Sequence, residues 1–389
     1  GSSPYLTFTT NSTDTDLKNM SYSLWAVNGH ANTVIMNIRN SEGPSQAVKN
    51  QCIGEALTLK ALAYFFMVRT FGEVPIIHDN NEVLTPGKYN EVTKVTKENV
   101  YEYIIVTLEK AMELLPKKTS GWDGRIDYYA AEGLLAKVYL TKAGVTGTLN
   151  NDDLTKAAQY AKDVIDNSGR TLTPKFSDIF RLAPATHNQT GEPMISWLWA
   201  AGRDPWTQQN TLQSDLMGEG FSETGDLWGG WGGPSYDLML AYGADPLIDP
   251  RERARTETDT RRKSTIMMAG DQYEYFWRDK GGFDLLRYIY DDEYGKGGPD
   301  QFQGPCGGQN CKHLYGNIAD HEAETGLTPG NMCYQLPTHI LRLGDVYLVA
   351  AEASLLTGNN AAALEYVNNV RERAGAELLS SVTIQDIWK

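Results

Sequence analysis

Tryptophan and tyrosine are concentrated in one part of this chain, and they are the residues there best suited to contact a ligand. Six of the nine tryptophans fall between positions 197 and 277, together with several tyrosines. Trp228 and Trp231 lie in DLWGGWGGPSYD, where the glycines remove flanking side chains and allow close approach to the rings. Large rings with a polar edge can cover the apolar C–H face of a sugar while polar groups at the rim bond its hydroxyls. The pattern therefore indicates a carbohydrate-binding surface.

The candidates for direct ligand contact are aromatic residues of this region. They are Trp228, Trp231, Trp206, Trp277 and Tyr273. The alternative is that the same side chains pack the loops onto a scaffold. Trp197 and Trp199 stand two apart in MISWLW, which has the pattern of a strand, and therefore share one face of it. We expect these two tryptophans in the core.

The acidic and histidine-containing segments give no comparable pattern for a metal or a cofactor. The acidic runs at 219–226 and 291–293 lack the ligand order of an EF-hand, and His321-Glu322 lacks the second histidine of a zincin motif. We predict no cofactor, and a structural calcium ion is left open without being predicted. Asp249 and Arg251 are interpreted as a salt bridge that fixes a loop.

Composition narrows the classes of partner. The chain has 389 residues and a formal net charge of −14, which argues against a nucleic-acid partner and against a polybasic contact with a membrane. No charge-free apolar window of the length of a transmembrane helix is present. Among the four cysteines, Cys52 is expected as a buried thiol. A short disulfide between Cys306 and Cys311 and a pair of free thiols both remain open.

The elements that must position these residues are helices. Apolar residues recur at spacings of three and four over 17–38, 54–71, 98–115, 127–140, 152–166, 343–354 and 361–370. Gly72 and Pro75 end the second of these. Successive hairpins of this size are typical of tetratricopeptide arrays. Between the hairpins, residues 170–335 are rich in Gly, Trp, Tyr, Asp and Pro, with strand-like segments at 194–199 and 272–277.

Two segments carry a resemblance to a known family. GEALTLKALAYFFMVRTFGEVPII at 54–77 resembles the core signature of the SusD/RagB family, and LRLGDVYLVAAEASLLTGNNAAALEYVNNVRERAG at 341–375 resembles its second signature. Ala31-Asn32 similarly fits the asparagine-containing first helix of the family. Lys60 stands where the family usually has arginine, which keeps the charge but loses the planar fork. The first signature is matched by Glu55, Ala56, Ala61, Tyr64, Phe71, Gly72, Val74 and Pro75.

The resemblance implies a mainly α fold of tetratricopeptide-like, SusD-like helical hairpins with a loop-rich, partly β insertion. It implies one domain over 1–389, with N-terminal hairpins at 17–169, a loop-rich elaboration at 170–335 that carries the ligand surface, and a C-terminal hairpin at 336–389. Family members usually carry a lipidated cysteine before the first helix and a further segment after the second signature. Neither is found in these 389 residues.

The resemblance also implies a function. We expect a non-catalytic, lipid-anchored protein on the cell-surface side of the outer membrane. It would bind an oligosaccharide or polysaccharide and pass it to a SusC-like TonB-dependent transporter, and the identity of the glycan is left open. One alternative is a tetratricopeptide-type protein-interaction module without glycan binding. The less favoured alternative is a glycoside hydrolase, which would need two carboxylates about 5–9.5 Å apart.

Overall fold

The computed structural model describes residues 4, 7–83, 86–181, 190–197, 221, 233–245, 247–249, 251–252, 259–291, 293–294, 308–326, 328 and 336–389. The chain forms two compact units. The first comprises Gly1–Gly169, Asp345–Ala363 and Thr383–Lys389, and the second comprises Arg170–Gly344 and Leu364–Val382. The single domain expected over residues 1–389 stays a prediction.

Consecutive helices build the first unit. They are α1 Thr15–Asn40, α2 Gln46–Phe71, α3 Asn80–Val83, α4 Lys97–Leu114, α5 Tyr128–Lys142 and α6 Asn151–Asn167. Each of the five long helices begins at a side chain that accepts a hydrogen bond from the first turn, which satisfies a donor that has no partner within the helix. Helix α1 packs against α2, α2 against α4, α4 against α5 and α5 against α6. The predicted helical hairpins are therefore confirmed.

Helix α2 lies at the centre of this unit. Ala61, Tyr64 and Met67 are fully buried, and the Tyr64 hydroxyl accepts a hydrogen bond of 2.8 Å from the backbone N–H of Ile77. Gly72 caps the helix at φ 76°, a left-handed value that glycine adopts without steric cost. The helix is long and apolar enough to cross a membrane, but 72% of its most apolar window is buried inside the protein. Core packing explains its composition.

A buried lysine connects α2 to its neighbours. The Lys60 side chain is 1% exposed, and its ammonium donates to Asn32 Oδ1 at 2.6 Å and to the carbonyl of His78 at 3.0 Å. Burial lowers the pKa of Lys60 to about 8, and Asp79 opposes that change. Asn32, which fits the first helix of the family, and Lys60, which replaces the usual arginine of the first signature, therefore contact each other directly.

Short strands and helices build the second unit. Strand β1 (Pro193–Trp197) pairs antiparallel with β6 (Thr338–Arg342), β2 (Ile266–Met268) with β5 (Gly308–Asn310), and β3 (Gln272–Tyr273) with β4 (Phe283–Asp284). The described helices here are α7 Tyr236–Ala241, α8 Thr260–Thr265, α9 Leu285–Tyr290 and α10 Ile318–Thr325. Short 3₁₀ helices lie at Phe176–Phe180 and Arg278–Lys280 in this unit, and at Lys88–Asn90 in the first unit.

The two strand predictions fared differently. The strand expected within 194–199 is observed at Pro193–Trp197. The segment 272–277 is a strand for only Gln272 and Tyr273, because the chain then turns, and Trp277 has φ 51°.

The last helices are α11 Leu343–Leu356, α12 Asn360–Ala374 and α13 Ile384–Trp388. The helices α11 and α12 and the turn between them lie where the second signature predicted them. The mainly α fold with a partly β region is confirmed.

Candidate functional site

Trp277 and Tyr273 lie in an aromatic core of the second unit, and this corrects their assignment as rings on which a sugar stacks, although Tyr273 is also among the residues that line the cleft described below. Each is 1% exposed. The rings of Phe283 and Tyr294 have centroids 5.0 Å from that of Trp277, and its indole N–H donates to the carbonyl of Phe221 at 2.9 Å. The Tyr273 hydroxyl donates to the carbonyl of Lys263 at 2.9 Å. With the polar tips satisfied by backbone and the faces covered by other rings, neither offers an open platform to a sugar.

Of the other tryptophans assigned from the sequence, four lie outside the described residues and Trp197 lies within them. Trp228, Trp231 and Trp206 lie outside the described residues, as does Trp199. Trp197 is 53% exposed, so the prediction that it belongs to the core is wrong. It is the last residue of β1, opposite Thr338, and among the described residues the sheet has two strands, with no third strand beside Trp197. Trp197 is therefore an exposed aromatic side chain that the sequence pattern assigned to the wrong environment.

A cleft of about 310 Å³ lies in the second unit beside the aromatic core. Its walls come from four separated segments of the chain and include Lys175, Phe176, Lys263, Gln272, Tyr275 and Arg373. Ligand pockets are commonly about 300–1,000 Å³, lined by aromatic side chains with a few polar groups. The cleft has the size for about one or two sugar residues and combines rings with hydrogen-bond donors.

One wall of the cleft is fixed by a buried ion pair. Arg373 Nη1 donates to Glu192 Oε1 at 3.0 Å and to Oε2 at 2.9 Å, and also to the carbonyl of Thr173 at 3.3 Å. The side chains are 5% and 0% exposed. Burial lowers the pKa of Arg373, Glu192 opposes this, and Arg342 and Arg261 lower it further. The Arg373 guanidinium lies 4.9 Å from the Phe176 ring centroid and holds that ring in place.

A second ion pair supports Tyr275. The guanidinium of Arg181 lies 4.5 Å from the Tyr275 ring centroid, and the same group pairs with Glu324 at 3.1 Å. Both side chains of that pair are less than 10% exposed, at 7% and 5%. Tyr275 itself is half-buried, so an edge of its ring remains available at the cleft. The contact with Arg181 fixes the orientation of the ring.

Smaller predictions have clear outcomes. Arg251 and Asp249 form the expected salt bridge at 2.6 Å. Cys311 is a buried free thiol whose pKa burial raises to about 12, and Cys306 lies outside the described residues. Cys52 is also a free thiol, although only half-buried. Within the described ranges, no group of three or more His, Cys, Asp or Glu residues could hold a metal ion.

A further cavity of about 150 Å³ lies in the first unit, where Asn32, Lys60, His78 and Asp79 are among its lining residues. Its walls are the hydrogen-bonded groups that connect α1, α2 and the segment after α2. We assign it to the packing of that unit.

The comparisons with known proteins identify the family. A family model described as the SusD family matches residues 249–386, and one described as starch-binding and associating with the outer membrane matches residues 9–140. Together they cover both ends of the chain. This chain belongs to the SusD/RagB family.

Individual relatives agree with this assignment. A SusD-like protein of Bacteroides ovatus is 32% identical over 98% of this chain, and SusD-like protein P2 of Formosa agariphila is 27% identical over 90% of it. This chain spans 64% and 61% of the lengths of these two relatives. A solved structure described as being with xylogluco-oligosaccharide is 30% identical, covers 99% of this chain and 70% of its own, and has a TM-score of 0.78.

Proposed function

We propose that this protein binds an oligosaccharide or polysaccharide at the surface of the outer membrane, without catalysing a reaction on it. The observation that carries this proposal is the similarity, over 99% of the chain, to a structure described as being with xylogluco-oligosaccharide. The family description of a starch-binding protein associated with the outer membrane supports the same class of ligand and the same location.

The proposed binding surface is aromatic. Trp228, Trp231 and Trp206 remain the proposed stacking residues, and the exposed Trp197 joins them as a candidate that the structure provides. Stacking of sugar faces on such rings, with hydrogen bonds at the rim, suits a shallow site of modest affinity.

The carboxylates of the second unit support a binding role over hydrolysis. A glycoside hydrolase ordinarily uses a pair of Asp or Glu residues that flank the scissile bond. Glu274 is the one carboxylate in the described lining of the cleft. The buried carboxylates of Glu192, Asp271 and Glu324 are each paired with an arginine, which leaves them poorly placed to act as acid or base.

We further propose, from the family resemblance, that an N-terminal lipid anchors the protein and that a SusC-like TonB-dependent transporter receives the glycan. A binding protein without its own reaction needs such a recipient if binding is to serve uptake. The test for this part is co-purification with a tagged transporter of that class and mapping of the contact by crosslinking.

Calorimetric titration against a panel of starch, xyloglucan, mucin and plant oligosaccharides tests the glycan claim. We expect saturable heat with at least one glycan, no release of reducing ends, and binding weakened about tenfold or more by Trp228→Ala or Trp231→Ala. Trp388→Ala is the matched control, because Trp388 is 66% exposed and belongs to the first unit. Silence across the panel would refute glycan binding and leave the protein-interaction alternative.

A further inference from the structure

The cleft in the second unit has an unusual charge for this protein. The chain as a whole carries a formal net charge of −14. Around the ring of Phe176, however, three cations collect: Arg373 at 4.9 Å, Lys312 at 5.6 Å and Arg342 at 5.7 Å from the ring centroid. Of these three, Arg373 lines the cleft itself.

The described lining of the cleft carries more cations than carboxylates. Glu192 is shared between Arg373 at 2.9 Å and Arg342 at 3.8 Å, so one carboxylate serves two guanidinium groups. Glu274 is exposed and forms no salt bridge with any described residue. Among the described residues that line the cleft, the three cations Lys175, Lys263 and Arg373 therefore accompany one carboxylate, that of Glu274, an excess that suits an anionic ligand.

Two lysines at the cleft are available for a ligand. Lys175 and Lys263 both line it, both are exposed, and neither forms an ion pair within the described residues. The ammonium of Lys263 lies 5.2 Å from the Tyr273 ring centroid, which places it over the aromatic wall. An ammonium near apolar rings is less well solvated than one in open water, so it gains more from a bound anion.

Neutral donors and an unsatisfied group complete the site. Ser177, Ser264 and Gln272 line the same cleft. The Ser264 hydroxyl donates to the carbonyl of Thr260 at 3.1 Å. Within the described chain the Gln272 amide and the Ser177 hydroxyl make only long contacts, of 3.4 and 3.5 Å, and these two are the neutral donors that a ligand can recruit. The Nε of Arg373, a side chain that is 5% exposed, is buried without a hydrogen-bond partner among the described groups. Buried donors are usually satisfied, and those that are not deserve a functional explanation.

We propose that this cleft binds the anionic substituent of a saccharide, either the carboxylate of a uronic acid or a sulfate ester. Lys175 and Lys263 receive the charge, and the hydroxyl and amide donors bind the neighbouring sugar hydroxyls against the edge of Tyr275. This inference rests on the proposed glycan-binding function and narrows its ligand to acidic glycans.

The test uses the full chain and three matched probes. These are a galacturonic acid trimer, its methyl ester, which has lost the charge, and a sulfated galactose trimer. We expect calorimetric binding of at least one anionic trimer, at least about tenfold weaker binding of the methyl ester, and weakening with added salt. The two anionic trimers distinguish carboxylate from sulfate.

Two variants separate the cleft from a general charge effect. Lys175→Gln combined with Lys263→Gln should weaken binding of the anionic trimer about tenfold, as expected if each lysine contributes about threefold. Glu274→Gln should strengthen it, because a repelling carboxylate is removed. Lys18→Gln combined with Lys97→Gln is the control, since it makes the same change in net charge on exposed helix residues of the first unit.

The outcomes are distinguishable. If the protein binds a neutral oligosaccharide but neither anionic trimer, the inference is overturned and the proposed function stands. Equal binding of acid and methyl ester, or equal losses in the cleft variant and the control variant, also overturns it. If no glycan of any kind binds, the proposed function fails together with the inference.

Discussion

Removal of Arg373 tests whether the buried ion pair holds the cleft together. In Arg373→Met the volume is roughly kept, but the carboxylate of Glu192 loses both contacts to Nη1 at 2.9 and 3.0 Å. That carboxylate is fully buried and, among the described residues, would retain Arg342, at 3.8 Å, as its one cationic partner. Breaking a buried pair by removing one member costs about 3–5 kcal/mol. Because Arg342 remains, we expect the lower end, about 3 kcal/mol.

The assay is urea unfolding followed by circular dichroism and by tryptophan fluorescence. With a slope of about 3 kcal/mol per molar urea, a loss of about 3 kcal/mol lowers the midpoint by about 1 M. Arg251→Met is the matched control in the same unit. Its pair with Asp249 is exposed, with side-chain exposures of 60% and 35%, so removing it should leave the midpoint unchanged within error.

A second variant shows whether the cost comes from the unpaired charge. When Glu192→Leu is added to Arg373→Met, both charges are gone and an apolar contact replaces them, so the double variant should recover much of the lost stability. Simple addition of the two single losses, or an Arg373→Met midpoint no lower than that of Arg251→Met, would refute this account of the pair.

Three further predictions concern stability. Burial and a neighbouring carboxylate raise the pKa of Glu132 from 4.5 to about 8. Between these two pH values the folded chain holds one proton more than the unfolded chain, so its stability falls as pH rises through that window. Glu132→Gln should therefore raise the urea midpoint relative to wild type at pH 8, and progressively less toward pH 4.5. Gly169→Ala should lower the melting temperature far more than Gly358→Ala, since both have positive φ but only at Gly169 would the new Cβ clash with backbone, at the carbonyl oxygen of Thr119. Trp277→Ala should cost about 3–5 kcal/mol by opening a core cavity, whereas Trp197→Ala, at 53% exposure, should leave the melting temperature near that of wild type.

The helices could be predicted because their causes are local. Periodicities of three and four residues place one face of each helix inward, and capping side chains at Ser45, Thr96 and Asp127 stand one residue before the first turn. Gly72 ends α2 where its sequence position indicates. Each of these signals is contained within a few residues, which is why most boundaries agree with the structure to within a few positions; the exception is the start of α2, which the structure places at Gln46, eight residues before the predicted start.

Burial of individual aromatics could not be predicted in the same way. Trp277 and Trp197 occur in similar segments, yet one is 1% and the other 53% exposed. The difference depends on the partners: Phe221 covers Trp277 from 56 positions away, whereas Trp197 ends a strand that, among the described residues, pairs with β6 alone. Long-range pairing of this kind has no signature in local spacing.

The cleft was missed for a related reason. Its walls come from 174–177, 260–264, 272–275 and Arg373, so two lysines that are distant in sequence share one cavity. The available signal was Arg373, which lies in the second signature motif. An arginine near the end of a helix is a candidate for a buried ion pair with a carboxylate. Its partner, Glu192, lies 181 positions away and could not be identified from the sequence.

Lys60 shows how a departure from a family pattern can preserve its physical role. An arginine fork suits two acceptors on one planar group. Here the acceptors are the amide oxygen of Asn32, on α1, and the carbonyl of His78, after α2, at 2.6 and 3.0 Å. They belong to different segments, so the compact ammonium, whose donors rotate freely, can serve both. Position 60 therefore requires a buried hydrogen-bond donor that connects three segments. It does not require the bidentate geometry that an arginine would offer and that a lysine lacks.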